Sequence, residues 1–313
     1  MTKIYSSRKG VYFLLIFTIF IAAFSFSGCG DSTNTGTQET LTSGTIHISV
    51  DESFKPVIDS QIKVFEAQNA NAKIIVDYKP EAECLRDLTN DSVRLVIVTR
   101  GITREEENLM IERYKFKPAF GRLAIDAVAV IVNNKTKDTL FTIPQIQGML
   151  KGNSDLKYKV LLDGTTATST VRFVRDSLLK GENLSKNVVA AANSLGVIEY
   201  VSRHNDAIGM IGVSWIGNPE DTTQLSFLQN VKLAEIECRG CVGTYIKPYQ
   251  ANIALGRYPM VRPLYYILKE NFKGLGSGFA NFLIYEKGQL IFKRAYLAPA
   301  RMPFEVRDMK ITE

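Results

Sequence analysis

The sequence predicts an α/β fold, a parallel sheet with helices on both faces. Three observations predict it. Short alternating or apolar runs that read as strands are followed in turn by helical patterns. The joints between them carry Ser, Thr, Asp or Pro where a helix would begin. The length of 313 residues is enough for a sizeable core and for two domains.

The elements follow in order. Thr45–Val50 alternates as a strand, with N-cap chemistry at Asp51-Glu52-Ser53 and a helix entered at Pro56. Lys73–Tyr78 is a second strand, and Lys79-Pro80-Glu81 turns into a helix through Cys84, Leu85 and Leu88. Val93–Val98 is a third strand ending at Thr99-Arg100-Gly101, and Thr103 caps a charged helix to Ile111. Leu123–Val132 is a long extended stretch. Thr142-Ile143-Pro144 opens a short helix to Leu150. Val188–Tyr200 reads as a helix, Asp206–Gly212 as a glycine-broken strand and turn, and Val231–Ile236 as a strand. Ala251–Glu270 reads as extended and then helical. Gly276–Lys287 and Gln289–Ala295 form one or two terminal helices. In such sheets ligands sit beyond the carboxyl ends of the strands, where helices begin.

One stretch stands out chemically. Lys159–Leu162 reads as a strand and Asp163-Gly164 as a tight turn. Thr165, Thr166, Thr168, Ser169 and Thr170 then place five hydroxyls in six positions, ahead of apolar residues at helical spacing. Free backbone N–H groups at a helix start favour an anion, and hydroxyls add donors without adding charge. The plainer reading is an ordinary N-cap, for which Ser and Thr are preferred.

The first residues belong to another kind of segment. Lys3, Arg8 and Lys9 precede an uncharged apolar run, Val11–Phe26, short of the about 20 residues a membrane span needs. This pattern reads as a signal peptide over residues 1–28. Phe26-Ser27-Gly28-Cys29 resembles a bacterial lipobox. That resemblance implies cleavage before Cys29, lipid on its thiol and a membrane-anchored, exported protein. Residues 29–43 then form a polar, flexible tether. Removing the signal takes three cations from a net charge of +6, leaving +3. That excess is too small for a nucleic-acid footprint, so no nucleic-acid partner is expected.

Cys84 reads as a buried small hydrophobe. Cys238 and Cys241, in Cys-Arg-Gly-Cys, are candidates for a local disulfide. His47 and His204 lack ligand spacing, so no metal and no cofactor are expected. An exported phosphatase would need a metal cluster or an activated nucleophile, and the sequence offers neither.

Several segments, in chain order, resemble the periplasmic phosphate-binding proteins of ABC transporters. They are Gly44-Thr45-Ile46-His47-Ile48, Val96–Ile102, Asp163-Gly164-Thr165-Thr166, Ala207-Ile208-Gly209-Met210, Arg257–Tyr265 with its Tyr-Pro-x-x-Arg-Pro-Leu pattern, and Phe282-Leu283 with Lys287-Gly288-Gln289. The resemblance implies a type II periplasmic binding protein fold: two lobes, each a sheet flanked by helices, joined by two crossover segments. Lobe one would be residues 44–132 plus 250–313, and lobe two residues 133–249. It also implies a non-enzymatic role, capture of a tetrahedral oxyanion, with phosphate as the first candidate, for delivery to ABC permease subunits. The candidate ligand-binding residues are Ser53, Phe54, Glu81, Thr99, Arg100, Thr165, Thr166, Ser169 and Arg172. Asp51, Glu52 or Glu81 could accept a ligand proton.

The chain departs from the family at Gly164-Thr165-Thr166-Ala167, where a second glycine is missing, and at Leu162, where the family has Arg. These departures keep two alternatives open. One is a different small solute. The other is a sensory or structural lipoprotein without transport.

Overall fold

The computed structural model describes residues 39–164, 168–218 and 220–301. The signal segment, Cys29, the tether as far as Gln38, Thr165 and Thr166 lie outside the described residues. Among the described residues no helix is long and apolar enough to cross a membrane.

The chain opens as β1 (Gly44–Asp51), α1 (Lys55–Gln68), β2 (Ala72–Lys79), α2 (Glu81–Arg86), β3 (Val93–Val98) and α3 (Arg104–Tyr114). It continues with β4 (Ala119–Asn133), β5 (Leu140–Phe141), α4 (Ile143–Lys151), β6 (Lys159–Leu162), α5 (Ser169–Phe173), β7 (Val188–Ala190), α6 (Ser194–Arg203) and β8 (Ala207–Gly212). Next come α7 (Thr222–Phe227), β9 (Val231–Leu233), β10 (Glu235–Glu237), β11 (Tyr245–Ile246), α8 (Gln250–Ala254) and β12 (Val261–Leu268). It closes with α9 (Leu275–Ile284), α10 (Glu286–Arg294) and β13 (Ala298–Pro299).

The main sheet runs β2-β1-β3-β12-β4-β8-β6-β7, with β9 and β13 also on β4. β1 pairs in parallel with β2 and β3, and β6 pairs in parallel with β7 and β8. The predicted parallel sheet is thus two parallel groups. Between them lie β12 and β4, antiparallel to each other; β12 is also antiparallel to β3, and β4 to β8. β4 is the shared strand. It pairs with β12 over Ala119–Ala127 and with β8 over Val128–Val132. Val128–Val132 is fully buried and apolar, as a strand covered on both faces requires.

Local signals explain most boundaries. Thr103 and Thr142 each form a reciprocal capping box, with Glu106 and Gln145. Pro56 stands in the first turn of α1, where a missing N–H costs nothing. Phe65 of α1 meets Phe279 and Phe282 of α9 edge-on, at centroid distances of 5.2 and 5.4 Å. Cys238 and Cys241 are joined as a disulfide, and Cys84 is free and buried.

Four expectations need correction. Val188–Ala190 is a strand, and the helix starts only at Ser194, capped by Asn193. The β-branched pair Val188-Val189 lies against Val160 and Leu161 of β6, and sheet pairing overrides the apolar spacing. Asp206–Gly212 holds an unbroken strand, because Gly209 packs rather than turns. Val231–Ile236 divides at Ala234 between two sheets. Ala251–Glu270 begins with helix α8 and ends in strand β12, the reverse of the expected order. Arg262 and Pro263 are seated against β4 there.

Candidate functional site

β1, β3 and β6 end at Asp51, Val98 and Leu162, and the residues just beyond them are brought together with Arg262 of β12 and Asp126 of β4. Asp51 accepts from the Ser53 N–H at 3.0 Å, which folds the β1–α1 joint into a tight turn with Ser53 and Phe54 buried. Ser53 Oγ donates to Asp163 Oδ2 at 3.1 Å and lies 3.3 Å from Ser169 Oγ. These three groups are the centre of the cluster, and each is at most 2% exposed.

The hydroxyl-rich stretch divides its labour. Thr168 is the N-cap of α5, accepting from the Val171 N–H, and its hydroxyl donates to Asp163 Oδ1 at 2.8 Å. Thr170 donates to Asp163 Oδ2 at 2.9 Å. The plain capping reading therefore holds for Thr168, while Ser169 faces Ser53. Gly164 has φ of +150°, and a Cβ there would lie 2.6 Å from Thr168 Cγ2, so only glycine serves. The helical spacing expected after Thr170 is realised as α5 followed by a π turn over Val174–Leu178.

Arg262 closes the cluster from below. Its Nε donates to Asp126 Oδ2 at 2.8 Å and its Nη1 to Ser169 Oγ at 2.9 Å. The guanidinium carbon lies 5.2 Å from the centre of the Phe54 ring. Among the described residues its buried Nη2, like Asp51 Oδ2 and Asp126 Oδ1, has no hydrogen-bond partner. An unpaired buried donor is costly unless something engages it.

A second constellation lies beside the first. Arg172 Nε donates to Glu81 Oε2 at 2.6 Å and its Nη2 to Thr99 Oγ1 at 2.7 Å. Glu81 Oε1 also accepts from the Thr99 N–H at 2.8 Å and from its hydroxyl at 2.6 Å. Glu52 reaches Ser194 at the start of α6, accepting from its hydroxyl at 3.0 Å and its N–H at 3.2 Å.

Carboxylates outnumber cations here: Asp51, Glu52, Glu81, Asp126 and Asp163 face Arg172 and Arg262. Burial pushes the Asp51 carboxyl up to about 7, with the charge of Glu81 adding to it. Burial, then Asp163, brings Glu52 to about 7. Burial also raises Asp126, against the pull of Arg262. At Glu81 burial opposes ionisation, but Arg172 and Thr99 overcome it and hold the carboxyl below its ordinary value.

Of the residues singled out from sequence, Ser53, Phe54 and Ser169 enter the first constellation, and Glu81, Thr99 and Arg172 form the second. Arg100 joins neither. Its guanidinium forks onto Glu106, with Nη2–Oε1 at 2.6 Å. Sequence reasoning missed Arg262, Asp126, Asp163 and Ser194 as members of the site. Arg262 carried a signal, since it stands in the Tyr-Pro-x-x-Arg-Pro-Leu segment, where it served only as a marker of resemblance. Among the described residues no group of His, Cys, Asp or Glu could hold a metal ion.

Comparison with known proteins places the fold. Residues 35–287 match the family model for a PBP superfamily domain. No curated protein matches the sequence. Three solved structures share the architecture. One, from Clostridium perfringens, is described as a putative phosphate ABC transporter substrate-binding protein with bound phosphate. It is 18% identical, with a TM-score of 0.67, over 82% of this chain and 100% of that one. An ABC-type phosphate transport receptor from Vibrio cholerae is 18% identical with a TM-score of 0.58, over 82% and 100%. PstS from Borrelia burgdorferi is 19% identical with a TM-score of 0.50, over 82% and 98%. At this identity the likeness shows the fold, a type II periplasmic binding protein fold, as expected.

Proposed function

The chain belongs to the PBP superfamily, and on that premise we propose that it is a lipid-anchored solute receptor that captures a tetrahedral oxyanion, phosphate first among them, for an ABC-type importer. The observation that carries this reading is the buried hydroxyl pair Ser53–Ser169 on Arg262, whose Nη2 has no partner among the described residues. Hydroxyls plus a partly uncommitted guanidinium are the donors an oxyanion needs.

In this proposal the lobes are residues 44–132 with 250–313, and 133–249. They part along the line between Ser53, Glu81 and Thr99 on one side and Asp163, Ser169 and Arg172 on the other. The ligand enters there, and closure traps it. Ser53, Ser169 and Arg262 donate to it, the Phe54 ring packs against the Arg262 guanidinium, and Thr165 and Thr166 are further candidate donors. Asp51, in its ionised form, accepts a hydrogen bond from the P–OH of hydrogen phosphate through its unpaired Oδ2, which disfavours an anion that has no proton to share. The relatives that share the fold are described as phosphate receptors, which supports this choice of anion. Cys29 carries the lipid, and the protein works at the outer face of a membrane.

The test is competition among anions. Phosphate and arsenate are expected to bind, with sulfate at least about tenfold weaker, the energy of roughly one hydrogen bond to a charged group. Equal affinity for sulfate and phosphate would remove the hydrogen-bond-acceptor role of Asp51.

A further inference from the structure

Glu81 stands at the first position of α2, yet its side chain turns away from solvent and is 3% exposed. Both its oxygens are engaged. Oε1 takes the Thr99 N–H, the Thr99 hydroxyl and Arg172 Nη2, and Oε2 takes Arg172 Nε. Arg172 Nη2 also donates to Thr99 Oγ1, so the receiving groups hold each other in place. A surface ion pair needs only two side chains. Here a backbone N–H, a hydroxyl and a guanidinium fork converge on one carboxylate from the end of β3 and from α5. That donor set is the one with which proteins hold carboxylate, sulfate and phosphate alike.

We propose that Glu81 is an internal anion: its carboxylate occupies an oxyanion seat built by Thr99 and Arg172, and thereby sets how strongly the cleft takes free anions. A free oxyanion reaching Thr99 and Arg172 must displace a competitor tethered to the same chain. Its local concentration is fixed by the fold and does not dilute. The apparent affinity is then lowered by the fraction of molecules in which the seat is free. Occupancy by Glu81 also does mechanical work. Arg172 and Thr99 lie on opposite sides of β4, and the bridge through Glu81 ties the two halves of the sheet without external ligand. The inference rests on the proposed function only in taking this cleft as the place where anions bind.

The test is calorimetry with sulfate and with phosphate on wild type, Glu81→Ala, Glu81→Gln and the double variant Glu81→Ala with Arg172→Ala, each checked for folding by circular dichroism. Glu81→Ala is expected to bind sulfate at least about tenfold more tightly than wild type, the gain from a seat that Glu81 otherwise fills nine times in ten. Adding Arg172→Ala should abolish that gain. If Glu81→Ala does not fold, Glu81→Gln carries the same comparison with its charge removed and its shape kept. An unchanged or weaker affinity overturns the inference, as does a gain that survives loss of Arg172, because it would reflect only the removal of negative charge. Wild type that binds no phosphate beside a Glu81→Ala variant that binds sulfate through Arg172 supports the inference and removes the proposed function. Wild type that binds phosphate beside an unchanged Glu81→Ala variant does the reverse.

Discussion

Asp51 and Glu52 are neighbours in sequence, and both carboxyls stand at about 7. Their ordinary values are 3.8 and 4.5, so between roughly pH 4 and pH 7 the folded state holds protons that the unfolded chain has released. Stability should therefore fall as pH rises through that window and level off above 7, with a slope of at most about 1.4 kcal/mol per pH unit for each group. Glu81 works in the opposite sense and outside that window. Its stabilisation is present above 4.5 and is lost as pH falls through its depressed folded value. Thermal unfolding followed from pH 5 to pH 8 checks the sign, and Asp51→Asn should flatten the curve. Arg262 is the other residue with large leverage. It is 3% exposed and paired with a fully buried Asp126, so Arg262→Ala should cost about 3–5 kcal/mol by leaving that carboxylate alone, read from urea unfolding. Ser53 and Ser169 were legible as candidates because their local patterns announce strand ends. Arg262 was legible only as part of a marker segment, and its place in the site was not, because that depends on Asp126, 136 positions away, and on burial that no local pattern encodes.

At the scale of elements, the joints with local chemistry were legible and the rest were not. Thr103 with Glu106, and Thr142 with Gln145, state their helix starts in four residues. Thr103→Ala should cost about 1 kcal/mol in the same unfolding measurement. β7 was missed because its identity comes from pairing with β6, not from its own spacing. β8 was misread at Gly209, which looked like a break. A Cβ at Gly209 would lie 2.5 Å from Val197 Cγ1 and 2.9 Å from Ile131 Cγ1, so glycine is what lets α6 approach the sheet. Gly209→Ala should destabilise by about 1–3 kcal/mol through overpacking.

At the scale of the molecule, the strand-helix alternation over the first three strands was enough to predict a sheet with ligand-facing loops at its strand ends. The insertion of β12 between β3 and β4 was not predictable from spacing, because it unites residues separated by more than a hundred positions. That return strand brings Arg262 beneath Ser53 and Ser169, and it makes one polar cluster out of segments from both parallel groups. The proposed receptor follows from that convergence, which also gathers more carboxylates than arginines in one buried cluster. The most direct measurement is isothermal titration of the protein, shown beforehand to be ligand-free, with phosphate, arsenate, sulfate and molybdate. The account predicts saturable heat with phosphate and a loss of at least about a hundredfold in affinity when Ser53 and Ser169 are both replaced by alanine, roughly one hydrogen bond to a charged group per hydroxyl removed. No heat with any of the four anions would contradict it.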